Sequence, residues 1–296
     1  MSSNKPLELG LEFLSRSDIV GRGEHRFINS EFGFVNSMLQ LNSNLFQIGQ
    51  PYRIKEGRII QPIHGKARIF INLIEHTLYP EHILLISPGS IIEVLEISPD
   101  IDVRMIVPNN DFIQLYRKDE FFSHYLSGQM NLSLQVTDDE RKKIDTFFSL
   151  MWDILQENAF QRDIIQNLLM ALLYYIEYIQ KRKQTTVQVP SRQEELFQRF
   201  IALVNVHCIQ ERNVGFYADK LCLTPRYLNT VIKQVSQQTV MEWINQAVIL
   251  EAKVLLKHSN LLVYQISDEL QFATPSFFCK FFKKMTGMTP QEYQRK

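Results

Sequence analysis

The chain has 296 residues, 45% of them hydrophobic and 22% charged, and its 32 Lys and Arg balance 32 Asp and Glu. At roughly 150 residues per domain this is about two domains, each long enough to bury a core. The composition excludes wholesale disorder, a collagen-like repeat and a disulfide scaffold.

Read from its start, Met-Ser-Ser-Asn-Lys-Pro lacks the basic-then-apolar pattern of a signal peptide, so a cytoplasmic protein is expected. Short runs rich in Ile, Val, Leu and Phe follow: Phe27–Val35, Leu45–Ile48, Arg58–Ile60, Arg68–Ile74, Ile83–Ile86, Ile91–Ile97 and Val103–Val107. Turn residues punctuate them, as in His64-Gly65-Lys66 and Ser87-Pro88-Gly89-Ser90. Many short strands at this spacing predict a sandwich or barrel over residues 1–108. Helical periodicity takes over in 109–183. Thr137-Asp138-Asp139-Glu140 is a capping box, in which the Thr hydroxyl and the Glu carboxylate each satisfy one orphan amide. Behind it Ile144, Phe147, Phe148, Met151, Trp152 and Leu155 share one face, and a second helix carries Ile164 to Ile179. The second stripe is wide enough to pack on two surfaces, which suits a hairpin closing the barrel or a homodimer interface through helices in 138–182. The apolar run Leu168–Tyr175 is too short to span a bilayer, so no membrane partner is expected. Residues 184–191, polar and ending beside Pro190, predict a linker between a domain at 1–183 and another at 192–296.

The last third differs in charge. Residues 192–296 carry 13 Lys and Arg against 9 Asp and Glu, whereas the remainder carries 19 against 23. A basic tail on an acidic body suits a polyanionic partner. The tail also contains an internal repeat. Ala218-Asp219-Lys220-Leu221 and Ser267-Asp268-Glu269-Leu270 lie 49 residues apart. An offset of 50 pairs Thr224-Pro225 with Thr274-Pro275, Leu228 with Phe278, Ile232 with Phe282, and Thr239–Trp243 with Thr289–Tyr293. One supersecondary unit therefore occurs twice. In each copy a short helix ends in a tight turn, and a second helix opens with a Thr N-cap and Pro at its first position. That is a helix-turn-helix, predicted at about 214–235 and 263–286. Between the copies Thr239–Glu242 is a further capping box, starting a helix to about His258. Roughly 29 Å long at 1.5 Å per residue, it would hold two recognition helices about one 34 Å turn of DNA apart.

Residues 192–296 resemble the DNA-binding region of the AraC/XylS family of bacterial transcription regulators. The stretch Phe272 to Tyr293 carries the resemblance: Phe272, then Ser276-Phe277-Phe278, Phe282-Lys283-Lys284, and Gly287-Met288-Thr289-Pro290. One departure is Gln271, where the family usually has Gly, which puts the second turn's geometry in doubt. In the first motif Leu228, Val231 and Ile232 are expected to pack on Leu221, leaving Arg226, Asn229, Thr230 and Lys233 exposed. Arg can bridge guanine O6 and N7, Asn can bridge adenine N6 and N7, and Thr can meet a thymine methyl. The resemblance implies base contacts at Arg226, Asn229 and Thr230, and at Ser276, Cys279 and Lys280 in the second motif. Lys283 and Lys284 fit phosphates, which supply affinity without sequence information. Phe278 and Phe282 are expected in the core, while Phe277 suits either surface or core.

The whole is expected to be an α+β two-domain protein: a β-barrel with a helical hairpin, which the resemblance implies is cupin-like, then an all-α double helix-turn-helix domain. The resemblance implies a small-molecule effector in the barrel, double-stranded DNA as partner, RNA polymerase as a second partner if the protein activates, and activation rather than repression. His64, His76 and His82 are isolated and no His-x-His pair occurs, so neither a metal nor a cofactor is expected. Three cysteines without paired spacing, Cys208, Cys222 and Cys279, offer no zinc site and fit a reducing compartment. No phosphate loop or nucleophile elbow marks an enzyme. The alternative is a cupin-type enzyme or ligand-binding protein with a DNA-targeting tail.

Overall fold

A computed structural model describes residues 8–15, 25–38, 47–113, 120–127, 131–157, 159–186 and 191–295. Among them the strands are β1 (Glu8–Leu9), β2 (Arg26–Ile28), β3 (Phe32–Val35), β4 (Pro51–Ile54), β5 (Arg58–His64), β6 (Ala67–Ile71), β7 (Ile74–Leu78), β8 (His82–Ile86), β9 (Ile91–Ile97), β10 (Asp102–Pro108) and β11 (Leu132–Gln135). They form two sheets, ordered β1-β4-β9-β6-β7 and β11-β8-β5-β10-β3-β2. All pairings are antiparallel except β1 with β4.

Side-chain alternation decides what each sheet face covers. In β8, Leu84 and Ile86 enter the core between the sheets with Ile54, Ile69 and Ile92, while Ile83 and Leu85 face the other way into a helical layer. This strand is buried on both faces, and its sequence is accordingly a continuous apolar run. The helical layer is the hairpin α4 (Asp138–Leu155) and α5 (Arg162–Thr186). The predicted capping box starts α4: Glu140 N–H donates to Thr137 Oγ1 at 3.3 Å, and Thr137 N–H donates to Glu140 Oε2 at 2.7 Å. Ile144, Phe148, Met151, Ile165, Leu169, Leu172 and Leu173 bury themselves against Phe34, Ile59, Ile83 and Ile106 of the six-stranded sheet. Short helices α1 (Leu11–Ser15), α2 (Asn110–Ile113) and α3 (Glu120–Leu126) complete this half.

Three strand boundaries differ from the sequence expectation. The run Phe27–Val35 is a hairpin, broken at Asn29 to Glu31, where Asn29 Oδ1 accepts the amides of Glu31 and Phe32 at 2.8 Å. The run Arg68–Ile74 is split by a two-residue turn with Asn72 at φ 54, a left-handed position that Asn tolerates. Of Leu45–Ile48, Leu45 and Phe46 lie outside the described residues and Ile48 is in a turn. The strand there begins instead at Pro51, a first-residue position that needs no ladder amide. Within the expected linker, α5 continues to Thr186, Ser191 caps the next helix, and residues 187–190 lie outside the described set.

The C-terminal half is helical: α6 (Arg192–His207), α7 (Val214–Lys220), α8 (Pro225–Ser236), α9 (Val240–His258), α10 (Val263–Glu269), α11 (Pro275–Thr286) and α12 (Pro290–Arg295). The long helix α9 is buried around most of its circumference. One side holds the core of the two motifs through Trp243, Ile244, Val248 and Ala252. Its flank meets the barrel at β4. Arg53 pairs with Glu251, His258 Nε2 lies 2.8 Å from the Pro51 carbonyl, and the Tyr52 and His258 rings approach to 4.7 Å. Burial holds His258 below the ordinary histidine pKa. The β6–β7 hairpin tip, Leu73 and Ile74, packs on the same helical core.

Candidate nucleic-acid interface

The repeat seen in the sequence returns as geometry. Each motif's first helix, α7 or α10, ends in a Schellman motif with a left-handed residue, Cys222 (φ 56) or Gln271 (φ 55). Leu223 N–H donates to the Ala218 carbonyl and Phe272 N–H to the Ser267 carbonyl, both at 2.9 Å. Cys222 N–H reaches Asp219 at 3.0 Å, and Gln271 N–H reaches Asp268 at 2.9 Å. The doubt raised by Gln271 is thus answered: the second turn has the same backbone as the first, with non-glycine residues accepting αL in both. The recognition helices α8 and α11 then begin alike. Thr224 and Thr274 accept the amides of Tyr227 and Phe277 at 3.2 Å, and Pro225 and Pro275 fill the first helical position. Both helices also end alike, on left-handed Gln237 (φ 60) and Gly287 (φ 80).

This local order sorts the side chains. Leu228, Val231, Ile232, Phe278 and Phe282 are buried, and Leu228 and Ile232 share a core cluster with Leu221. Arg226, Thr230 and Lys233 on α8, and Ser276, Lys280, Lys283 and Lys284 on α11, are exposed with the barrel docked. Neither recognition helix contains an acidic residue, so α8 presents two cations and α11 three. A surface of that sign attracts phosphate.

Two of the expected base readers sit lower on their helices. Cys279 and Asn229 are half-buried. Asn229 already spends its carboxamide within the fold: Nδ2 donates to the Pro225 carbonyl at 3.2 Å, and Oδ1 accepts Val240 N–H, the first amide of α9, at 3.3 Å. The second copy lacks both halves of this contact, since Cys279 replaces Asn229 and Pro290, which has no amide proton, replaces Val240. Asn229 therefore ties the first recognition helix to the linker helix. Arg212 makes a second tie, between the motifs: its guanidinium donates to the Leu270 carbonyl and stacks 4.0 Å above the Phe272 ring. Sequence reasoning missed both, because each depends on a partner brought near by the fold.

Residues 217–296 match the helix-turn-helix domain family. The C-terminal region is an AraC-type helix-turn-helix domain. Relatives of this AraC-type domain include the regulatory protein PocR of Salmonella typhimurium, 24% identical over 136 residues, 45% of each chain. The HTH-type transcriptional activator RhaR of Escherichia coli K12 is 27% identical over 105 residues, 36% of this chain and 37% of that protein. The chain thus spans less than half the length of either curated relative. Among solved structures, fatty-acid-bound ToxT of Vibrio cholerae aligns over 90% of this chain and 95% of its own, at 15% identity and a TM-score of 0.42.

The rest of the molecule offers less defined chemistry. A cleft of about 470 Å³ lies between the barrel and the AraC-type domain, lined by Phe70, Leu73, Glu93, Ile249, Lys253 and Tyr293. Burial holds the Glu93 carboxyl above its usual range, and the nearby Lys253 charge opposes this. Inside the barrel Arg58 is fully buried, donating to the Leu9 carbonyl and to Met105 Sδ, and desolvation lowers its pKa to about 10. Its Nε and the buried Tyr125 hydroxyl have no hydrogen-bond partner. Among the described residues no group of His, Cys, Asp and Glu is placed to hold a metal ion, and no helix is long and apolar enough to cross a membrane. The three cysteines are free.

Proposed function

We propose that the chain is a sequence-specific DNA-binding transcription regulator whose barrel binds a small-molecule effector. The observation that carries it is the pair of recognition helices. They are matched in capping, turn and register, free of acidic residues, and exposed while the barrel is docked. Arg226, Thr230, Ser276 and Lys280 read base edges, Lys233, Lys283 and Lys284 hold phosphates, and Cys279 adds a small apolar contact. Asn229 serves as a brace first and a base reader second. The relatives named above as a regulatory protein and a transcriptional activator support a regulator, and RhaR, a transcriptional activator, favours activation, with RNA polymerase as the further partner. A cytoplasmic location follows from a DNA partner.

The deciding experiment is a footprint of the full chain on duplexes that it selects from a library of its own genome. Protection of two major-groove segments about one helical turn apart is the expected result. Protection of a single segment would mean that only one motif enters the groove.

The chain is a homodimer through the α4–α5 hairpin in this reading. Leu150, Ile164, Tyr174 and Tyr178 of these two helices are exposed, whereas the hairpin's other face is buried against the sheet. Sedimentation of residues 1–186 is expected to give a dimer and residues 191–296 a monomer. The reverse pattern would move the interface to the AraC-type domain.

A further inference from the structure

Tyr227 and Phe277 occupy the same place in the two motifs, 50 residues apart at the third position of α8 and α11. Both backbones are pinned by the Thr cap, and both rings stand in solvent, Tyr227 49% and Phe277 57% exposed. The Phe277 ring is 6.0 Å from Phe272, the residue after the turn, so its base is braced while its outer half is open. The buried positions that follow, Leu228 and Phe278, already close the core beneath. Core packing therefore does not account for two aromatic side chains left in water at matched positions.

Their direction can be read from helical geometry. At about 100° per residue, Tyr227 lies some 60° beyond Thr230 and close to Gln234, on the edge of the exposed arc. Phe277 stands in the same relation to Lys280 and Lys284. A helix whose centre faces base edges turns this flank towards one wall of the major groove, where deoxyribose rings alternate with phosphates. In α11 the flank itself has that alternation, an aromatic ring one turn and then a lysine seven residues on.

We infer that Tyr227 and Phe277 are further DNA-contacting residues, whose rings pack on the deoxyribose wall of the major groove. The inference rests on α8 and α11 being recognition helices. A ring against sugar displaces water but no counterion and meets the same surface at every base pair. It adds affinity that is independent of both salt and sequence, unlike the neighbouring arginine and lysines.

The test uses the full chain on duplexes that the wild type recovers from a genomic library. Tyr227→Ala and Phe277→Ala are each expected to bind those duplexes about tenfold more weakly, as for uncovering half of an aromatic side chain. The slope of log affinity against log salt stays as in the wild type, and so does the preferred base at every position. Tyr227→Phe and Phe277→Tyr retain wild-type affinity. Unchanged affinity in the alanine variants would overturn the assignment, leaving the rings as covers for the turn. A slope change of about one would mean a role in phosphate contact, and relaxed preference at one base pair a role in base reading; either also overturns it. Tyr227→Gln and Phe277→Gln give the same readout should the alanine variants melt early. Recovery of no duplex by the wild type would instead bring down the recognition-helix reading itself.

Discussion

Arg226→Ala is expected to lower affinity for the selected duplex by about 1–3 kcal/mol and to relax preference at a single base pair, whereas Lys283→Ala weakens selected and scrambled duplexes alike. The positions differ in depth. Arg226 is the second residue of α8, immediately after Pro225, where a recognition helix presents its first side chains to base edges. Lys283 lies in the last turn of α11 and is fully outside the core. A phosphate contact releases a counterion whatever the sequence, so loss of Lys283 should also lower the slope of log affinity against log salt by about one. A guanidinium bridging O6 and N7 rewards only guanine, and its loss is felt chiefly on the correct site. Binding isotherms for both variants on both duplexes at several salt concentrations separate these roles. Equal weakening of both duplexes by Arg226→Ala, with altered base preference in Lys283→Ala, would reverse the assignment.

The ease with which the two halves could be read differs for a physical reason. The helical half announces itself through local chemistry. Thr224-Pro225, Thr274-Pro275 and the boxes at Thr137 and Thr239 act within four residues of themselves, and all four helices start where these residues predict. The barrel depends on pairing between distant strands, and its local signals mislead where a strand faces something other than the barrel core. In β4 the alternation is Tyr52 in, Arg53 out, Ile54 in, and the arginine looks like a solvent residue until Glu251 of α9 is placed beside it. In β7, Glu75, His76 and Thr77 interrupt an edge strand whose first residue packs on the other domain. The left-handed residues were hidden for a related reason. Cys222, Gln237 and Gln271 stand where glycine is the usual signal, and only the returning amide bonds disclose the turn. At the interface itself, residue type identified the exposed cations, but not the engagement of Asn229, whose partner Val240 begins another helix.

Phe282→Ala is expected to destabilise the AraC-type domain by about 3–5 kcal/mol, a large fraction of the roughly 5–15 kcal/mol that holds a domain together. Phe282 is fully buried at the centre of the second motif. Its ring meets Phe278 at 5.9 Å and Tyr293 edge-on at 5.6 Å, and Lys257 of α9 lies over the Tyr293 ring at 5.2 Å. Truncation removes the middle member of that stack, and helices α9, α11 and α12, fixed to one another by further contacts, collapse only partly into the space. Phe282→Leu keeps most of the volume and should cost less, about 1–1.5 kcal/mol. The chain's two tryptophans make the effect measurable by domain. Trp243, buried and donating to Ser236 Oγ at 2.9 Å, reports the AraC-type domain, and Trp152, on α4 beside Phe34, reports the barrel half. In denaturant, Phe282→Ala should move the Trp243 transition, followed in a Trp152→Phe background, to lower concentration. The Trp152 transition, followed in a Trp243→Phe background, should stay near its place, because among the described residues the contacts between the halves centre on Arg53, His258 and the β6–β7 tip. Equal shifts of both transitions would overturn that independence and make those contacts strong enough to fold the two halves as one unit.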